Sequence, residues 1–339
     1  MEIWLPYGDT EIVLDIKAEN LLDDIRYQRE ALEENGLEEV INNLSRSHIN
    51  ICVLEDNRIL ADLAIKFKRM LGSKDITTTL FMHNSIRNYY KDHDPRPLDD
   101  SIYDKDDTLL LSIAGFDPLF GYKGMPTIMA RMNNELMQEV IDKVKEPSPG
   151  KITNTLTTAY KHIESFSSKS VEVIINDNHI TDIVIDEPIK ANQESIKLLE
   201  QFKIKSEKTR AIVIGSGYVH TLSDSLRALW NCINVLRDDA NVILLAEGRD
   251  GLGSKVLDML VQGRLEAYIE GIEDLKFLNY AKARYNISLI TSLPDYYLKV
   301  IGFRSFRSIN HALKYLLSKN PRQKVTVVRD ASNIMLVSE

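Results

Sequence analysis

Short apolar runs, each followed by a polar loop and then a helical pattern, recur along both halves of this 339-residue chain. The clearest predicted strands cover residues 49–54, 76–82, 108–114, 210–214 and 242–246. A strand followed by a helix returns the chain for another strand in the same direction, so this alternation predicts parallel sheets covered by helices. We therefore expect an α/β fold with two domains, largely parallel sheets and a cleft between them.

The same pattern suggests where the domains begin and end. The polar stretch 203–209 interrupts the alternation, so we expect a first domain over 1–205 and a second over 206–322. Short strands over 323–339 could return to the first domain. Near the N-terminus, the acidic segment 21–44 has a helical pattern and predicts a helix.

Composition argues against several classes of partner. A net charge of −8 disfavours a surface for nucleic acid or for an anionic membrane. No apolar run approaches membrane-spanning length, and the first residues lack a signal-peptide pattern. Cys52 and Cys232 lie in apolar patterns without the spacing of a metal or redox motif. These observations predict a cytoplasmic protein with no nucleic-acid or membrane partner.

The segment 110–127, LLSIAGFDPLFGYKGMPT, is the strongest candidate for a functional loop. An apolar run breaks here into a glycine-rich bend that carries Asp117, Tyr122 and Lys123. Open α/β sheets place ligands at the carboxyl ends of their strands, which is where such a bend would lie. Asp117 could equally be a turn residue, and Lys123 an ordinary surface lysine.

Three other predicted strands also end in polar loops. They supply Glu55 and Arg58, then His83, and in the second half the loop 247–254, which contains Arg249. Because the carboxyl ends of parallel strands share one edge, these side chains could meet around a small anion. His83 could exchange a proton near neutral pH, and Arg58 could hold a carboxylate through two hydrogen bonds. A hydrogen-bonded loop histidine and a solvated arginine are the simpler alternatives.

A glycine turn, GSG at 215–217, follows another predicted strand. Backbone N–H groups at the start of a helix attract phosphate, so this turn could bind a dinucleotide. The third glycine of a dinucleotide fingerprint is absent, since residues 218–220 read YVH. A tight strand-to-helix turn explains the same residues.

Several of these segments resemble lactate racemases of the nickel-pincer type. The family's turn pattern after a strand is kept at Pro118, Leu119, Gly121, Tyr122 and Gly124. The N-terminal WLPYG, the hairpin-like segment 171–185 and the loop EGRDGLGS at 247–254 add matches in the same order. The resemblance therefore extends over nearly the whole chain, and it implies a lactate racemase-like fold.

The resemblance also implies an activity. It suggests an isomerase, a racemase or epimerase, that acts on a small 2-hydroxy acid by proton-coupled hydride transfer, with a nickel-pincer nucleotide as cofactor. His83 stands at the position of an acid/base histidine, and Asp117 stands where a second histidine is expected. Glu55 and Arg58 match the family's acidic residue and arginine after the first of these strands.

Other family positions differ in this chain. Thr127 stands where the tether lysine is expected, and Lys123 lies four residues earlier. The region that matches the nickel-binding histidine contains none, and His162 is the nearest candidate metal ligand. The expected residues for binding substrate or cofactor are Glu55, Arg58, Tyr122, Lys123, Asp224, Arg227 and Arg249, of which Asp224 and Arg227 replace a glutamine and a lysine of the family.

Three functions remain open at this stage. The first is a racemase-type isomerase in which His83 and Asp117 are the paired bases and Arg58 and Arg227 hold a carboxylate or the cofactor phosphate. The second is a cofactor-free relative that binds a small anion or nucleotide without racemase activity, and the missing tether lysine and nickel histidine favour it. The third is a dinucleotide-binding enzyme, which the glycine turn favours. The fold does not decide among them, so the site must.

Overall fold

The computed structural model describes residues 1–33, 37, 41, 46–265 and 271–339. Its helices are α1 (Arg58–Gly72), α2 (Asn84–Arg87), α3 (Met125–Met132), α4 (Asn134–Lys143), α5 (Asn154–His162), α6 (Pro188–Leu199), α7 (Leu222–Cys232), α8 (Lys255–Val261), α9 (Ile272–Arg284), α10 (Asp295–Ile301) and α11 (Ile309–Lys319). Its strands are β1 (Glu2–Tyr7), β2 (Thr10–Asp15), β3 (Leu21–Ile25), β4 (His48–Val53), β5 (Thr77–Met82), β6 (Arg96–Pro97), β7 (Thr108–Asp117), β8 (Gly121–Lys123), β9 (Lys169–Asn176), β10 (His179–Asp186), β11 (Lys203–Ser206), β12 (Thr209–Gly215), β13 (Leu236–Leu245), β14 (Asn286–Ile290), β15 (Arg304–Ser305), β16 (Val325–Val328) and β17 (Met335–Ser338).

The first sheet has the strand order β10-β9-β7-β4-β5-β6. Strands β9, β7, β4, β5 and β6 are parallel, and β10 closes the edge as an antiparallel neighbour of β9. The short strand β8 folds back antiparallel onto the end of β7. This sheet therefore confirms the parallel arrangement predicted from the first three apolar runs.

The second sheet has the order β15-β14-β13-β12-β16-β3, and all its pairs are parallel. Helices α7 to α11 alternate with its strands along the chain. The molecule is thus a mixed α/β protein with two largely parallel sheets, as the sequence predicted.

The acidic segment 21–44 was expected to be helical, and for its first residues this is wrong. Leu21–Ile25 forms β3, which pairs in parallel with β16 more than 300 residues later in the chain. Asp24 accepts two hydrogen bonds from Arg329, at 2.9 and 2.5 Å, so this acidic residue stabilises the pairing of β3 with β16. Residues 26–33 are not helical either, and residues 34–36, 38–40 and 42–44 of the expected helix lie outside the described residues.

The two ends of the chain lie with the second sheet or beside it. The hairpin β1–β2 packs its apolar side chains with those of β12, β13 and α11, and β3 and β16 are neighbours in that sheet. The last strand, β17, pairs in parallel with β11. The expected boundary between two domains at residues 205 and 206, and the return of strands over 323–339 to the first domain, stay predictions.

The cores follow from the sequence pattern. Central strands are covered on both faces, so β7 is apolar almost throughout and buries Leu109, Leu110 and Leu111. Helix α1 begins at an Asn57 cap, whose side chain accepts a hydrogen bond from the Leu60 backbone N–H at 3.2 Å, and it buries one apolar face against the first sheet. Within the described ranges, no helix has the length and apolar character needed to cross a membrane.

Candidate functional site

Two loops of the first sheet meet at an ion pair between Glu55 and Lys123. Glu55 follows β4, and Lys123 ends β8, which pairs with Gly115 of β7. The Lys123 ammonium donates to Oε2 of Glu55, while Oε1 of Glu55 accepts from the Ile113 backbone N–H at 2.8 Å. The two side chains are only 11% and 17% exposed. The structure therefore brings together two residues that the sequence placed at separate strand ends.

Burial sets the electrostatics of this pair. The pKa of Lys123 is lowered from its usual value, chiefly because burial disfavours the ammonium form. The Glu55 carboxylate opposes this shift, and the positive charge of Arg227 adds to it. The Lys123 amine therefore lies near a second positive charge, that of Arg227.

Arg227 lies on a helix that follows a strand of the second sheet. Its helix, α7, begins at Thr221, whose side chain accepts from the Asp224 backbone N–H at 3.1 Å and donates to the Asp224 carboxylate at 2.7 Å. Arg227 lies one turn further along, with Nη2 3.7 Å from Asp224 Oδ1 and with a side chain that is 44% exposed. Although burial opposes it, Asp224 and Glu55 raise the pKa of Arg227. We call Glu55, Lys123, Asp224 and Arg227 the inter-sheet cluster.

Asp117 lies in a second ion network at the same boundary. Arg131 of α3 donates to Asp117 at 2.7 Å and to Glu273 of α9 at 3.3 Å, so it links the two halves of the molecule. The other oxygen of Asp117 accepts from the backbone N–H groups of Leu119 and Phe120 at 2.9 and 2.8 Å. Burial would raise the pKa of Asp117, but Arg131 and these donors lower it overall. Both carboxylate oxygens are therefore engaged.

The tether position is occupied by a structural threonine. The Thr127 hydroxyl donates to the Gly124 carbonyl at 2.9 Å and accepts from the Gly124 N–H at 3.2 Å, which fixes the start of α3. Glu172 of β9 supports the same turn, because its carboxylate accepts from the Met125 N–H at 2.9 Å and from Ser112 at 3.1 Å. Burial raises the pKa of Glu172 to about 7.

A loop cluster lies at the end of the second sheet, made of Asp9, His220, Glu247 and Arg249. His220 contacts Glu247 through Nδ1 at 2.8 Å and Asp9 through Nε2 at 3.3 Å. Arg249 pairs with Asp9 at 2.6 Å. The pKa of Asp9 is lowered mainly by its hydrogen bond with Arg249, with smaller contributions from His220 and from Arg58 of the first half.

Within the described part of the chain, three expected site residues form no hydrogen bond or ion pair with these groups. His83 caps α2, and its Nδ1 lies 2.7 Å from the Ser85 hydroxyl. The Tyr122 hydroxyl is bound by Glu200 at 2.5 Å and Lys203 at 2.9 Å, on another side of its loop. His162 ends α5 and lines a separate pocket with Met129 and Phe166, among others.

Arg58 stands apart from the tight ion pairs. Its guanidinium lies 4.9 Å from the centre of the Tyr89 ring, and its charge contributes to the lowered pKa of Asp9. Its side chain is exposed. Arg58 therefore faces the same boundary as the loop cluster without a close carboxylate partner among the described residues.

The glycine turn 215–217 is closely packed by protein. A side chain at Gly215 would place its Cβ 1.9 Å from the Arg329 carbonyl oxygen, and one at Gly217 would meet the Asp330 carboxylate at 2.5 Å. Gly217 also bridges to Tyr7, and the Ala331 N–H donates to the Gly215 carbonyl at 2.8 Å. Close approach of neighbouring chain segments thus accounts for both glycines, and this favours the strand-to-helix turn over a dinucleotide loop.

Sequence reasoning did not single out Arg131, Glu172 or Glu273 as site residues. Glu172 had a usable signal, since it is a charged residue inside the apolar run 171–175 and such residues are rarely buried without a purpose. Arg131 had none, because its partner Glu273 is 142 residues away in the chain.

Comparison with known proteins agrees with this architecture. A lactate racemase apoprotein from Thermoanaerobacterium thermosaccharolyticum superposes with a TM-score of 0.75 at 13% sequence identity, covering 99% of this chain and 100% of that one. The fold is lactate racemase-like. A Thermotoga maritima protein of known crystal structure is also similar, with a TM-score of 0.61 at 9% identity over 90% of this chain and 97% of that one. No family model and no curated protein matches the sequence.

The residues do not fit a tethered nickel-pincer nucleotide. The tether position holds Thr127, whose hydroxyl is used within its own turn, and the second acid/base position holds Asp117, whose two carboxylate oxygens already accept hydrogen bonds from Arg131 and from two backbone N–H groups. In the described ranges, no group of three or more His, Cys, Asp or Glu side chains is placed to hold a metal ion. We therefore assign no step to that cofactor.

Proposed function

We propose that this lactate racemase-like protein binds a small organic anion of the 2-hydroxy acid class at the inter-sheet cluster, without a tethered pincer nucleotide. Arg227 would hold the carboxylate, and Arg58 would contribute positive charge from the opposite side of the boundary. The likeness to a lactate racemase apoprotein supports the fold. The ligand class rests on the chemistry of the two arginines.

The loose pairing of the Arg227 guanidinium with Asp224 is the observation that carries this proposal. Lys123, Arg131 and Arg249 each form close contacts with a carboxylate. Among the described residues, the Arg227 guanidinium instead pairs with Asp224 at 3.7 Å, and its side chain is nearly half exposed. A guanidinium in this state retains donors with the geometry to bind a carboxylate through two hydrogen bonds.

Binding of lactate tests the proposal directly. Isothermal titration calorimetry at low salt should detect binding of D- or L-lactate to the unaltered chain, and Arg227→Gln should weaken it about tenfold or more, because a hydrogen bond to a charged group is lost. Arg237→Gln removes an exposed arginine of β13 and is the matched control, expected to bind normally. Equal lactate binding by Arg227→Gln and Arg237→Gln would refute the role of Arg227.

Mass and metal analysis test the cofactor-free part. Protein made together with machinery that synthesises the pincer cofactor should keep its unmodified intact mass and bind no nickel. A nucleotide adduct on Lys123, or interconversion of D- and L-lactate by such a preparation, would instead support a racemase.

A further inference from the structure

Lys123 combines features that rarely occur together in a lysine. Its amine lies at a strand end of the first sheet, almost removed from solvent, and donates a hydrogen bond to the Glu55 carboxylate. Arg227 adds a second positive charge, and burial together with that charge lowers the pKa of Lys123. A desolvated lysine beside another cation is a known way to obtain a neutral, nucleophilic amine.

Lys203 shows what a purely structural lysine looks like in this protein. Its side chain is similarly protected, at 18% exposure. However, its ammonium contacts three oxygen atoms: those of the Tyr122 hydroxyl and the Gly150 carbonyl, both at 2.9 Å, and Glu200 Oε1 at 2.7 Å. All three N–H donors of Lys203 are thus used. Among the described residues, Lys123 donates a hydrogen bond to Glu55 and has no comparable cage, which makes its amine the better candidate for chemistry.

The exposure of the cluster defines a direction of approach. The exposed fraction increases from 11% for Lys123 through 17% for Glu55 to 44% for Arg227. A ligand carboxylate held by Arg227 at the outer end would point the rest of a small molecule inward toward the amine. The atom attached to that carboxylate would then be the one nearest to Lys123.

We propose that Lys123 forms an imine with a small 2-oxo acid whose carboxylate is held by Arg227, and that Glu55 transfers the protons. Glu55 first takes a proton from the Lys123 ammonium, so that the neutral amine can attack the carbonyl carbon, and Glu55 gives this proton to the carbonyl oxygen. Glu55 then removes one proton from the nitrogen of the carbinolamine and gives it to the hydroxyl, which leaves as water and gives the protonated imine. The step needs no oxidant or metal. It rests on the proposed function, because it uses the same anion site.

Reductive trapping tests the inference. The chain is incubated with pyruvate and sodium cyanoborohydride, and intact-mass and peptide analysis should find one reduced pyruvate adduct, on Lys123. Lys123→Arg keeps the charge beside Glu55 and should abolish the adduct, whereas Lys203→Arg should leave it unchanged. Glu55→Gln should slow trapping about a hundredfold, within the range expected for loss of a general acid/base.

The outcomes separate the two proposals. Pyruvate that binds in calorimetry without forming an adduct, or an adduct confined to other lysines, overturns the imine and leaves the anion site standing. Failure of both lactate and pyruvate to bind overturns the proposed function and the imine with it. Lactate, which lacks the carbonyl, should bind without being trapped.

Discussion

Replacing Arg131 with methionine should destabilise the protein by about 3 kcal/mol, because it removes the cation between two buried carboxylates. Arg131 contacts Asp117 at 2.7 Å and Glu273 at 3.3 Å, and those side chains are only 6% and 9% exposed. Methionine preserves much of the apolar contact of the arginine stem. The loss therefore measures the charge rather than a cavity.

The magnitude follows from what each carboxylate retains. Removing one partner of a buried ion pair generally costs about 3–5 kcal/mol. Asp117 keeps two backbone N–H donors, which compensate part of its charge, and Arg131 is itself 30% exposed. Both facts place the expected loss at the lower end. Glu273 has less compensation, since its Oε2 is buried without a hydrogen-bond partner in the described part of the chain.

Urea denaturation at several pH values is the appropriate assay. The pKa of Asp117 is lowered in the folded protein, so its stabilising contribution is complete above its unfolded pKa of about 3.9 and is lost as pH falls through the folded pKa. The effect of Arg131→Met should therefore be largest near neutral pH and shrink in acid. Arg46→Met breaks an exposed pair of similar length, 2.6 Å, and should cost below about 1 kcal/mol. A loss equal to this control, or one independent of pH, would refute the reasoning.

Two other features give predictions for the same stability assay. The pKa of Glu172 is raised to about 7, so folding binds a proton between its unfolded pKa of about 4.3 and that value, and stability falls as pH rises through this window. Glu172→Gln should remove this slope, worth up to about 4 kcal/mol, and an unchanged slope would contradict it. Gly121→Ala should cost about 2–3 kcal/mol more than Gly251→Ala, because both residues have positive φ but only the first would bring Cβ to 1.7 Å from the Lys151 carbonyl oxygen. Equal losses would show that the backbone conformation alone matters.

Local signals predicted much of the fold. The runs that became β4 and β7 are largely apolar on both faces, as strands inside a helix-covered parallel sheet must be, and in β5 this holds for the second half, Leu80–Met82. The hairpin β9–β10 was indicated by its polar turn, where Asp177 and Asn178 both adopt positive φ, at 49° and 62°. The strand β3 could not be predicted in this way, because its partner β16 lies at the other end of the chain. Only pairing with β16 makes this acidic segment a strand.

The site was predictable only as far as sheet topology could place it. Parallel strands bring their carboxyl ends to one edge, and this argument correctly placed Glu55 beside the loop of Lys123. The same argument could not predict the ion-pair partner of each side chain. Asp117 is ion-paired because Arg131 lies beside it. Arg227 pairs only loosely with Asp224, at 3.7 Å, one turn away on α7. Tertiary packing determines these ion-pair partners.

The positions of Thr127 and Lys123 are linked by a single physical constraint. Position 127 is completely buried at the start of α3, where a hydroxyl can satisfy the backbone of Gly124 but a lysine would need a partner for its charge. Four residues earlier, at the end of β8, the chain emerges opposite Glu55, which supplies that partner. An amine at position 123 thus reaches the boundary between the sheets from the strand rather than from the helix. A ligand held by Arg227, as proposed, would meet this amine together with a proton acceptor, and that combination suits carbonyl chemistry.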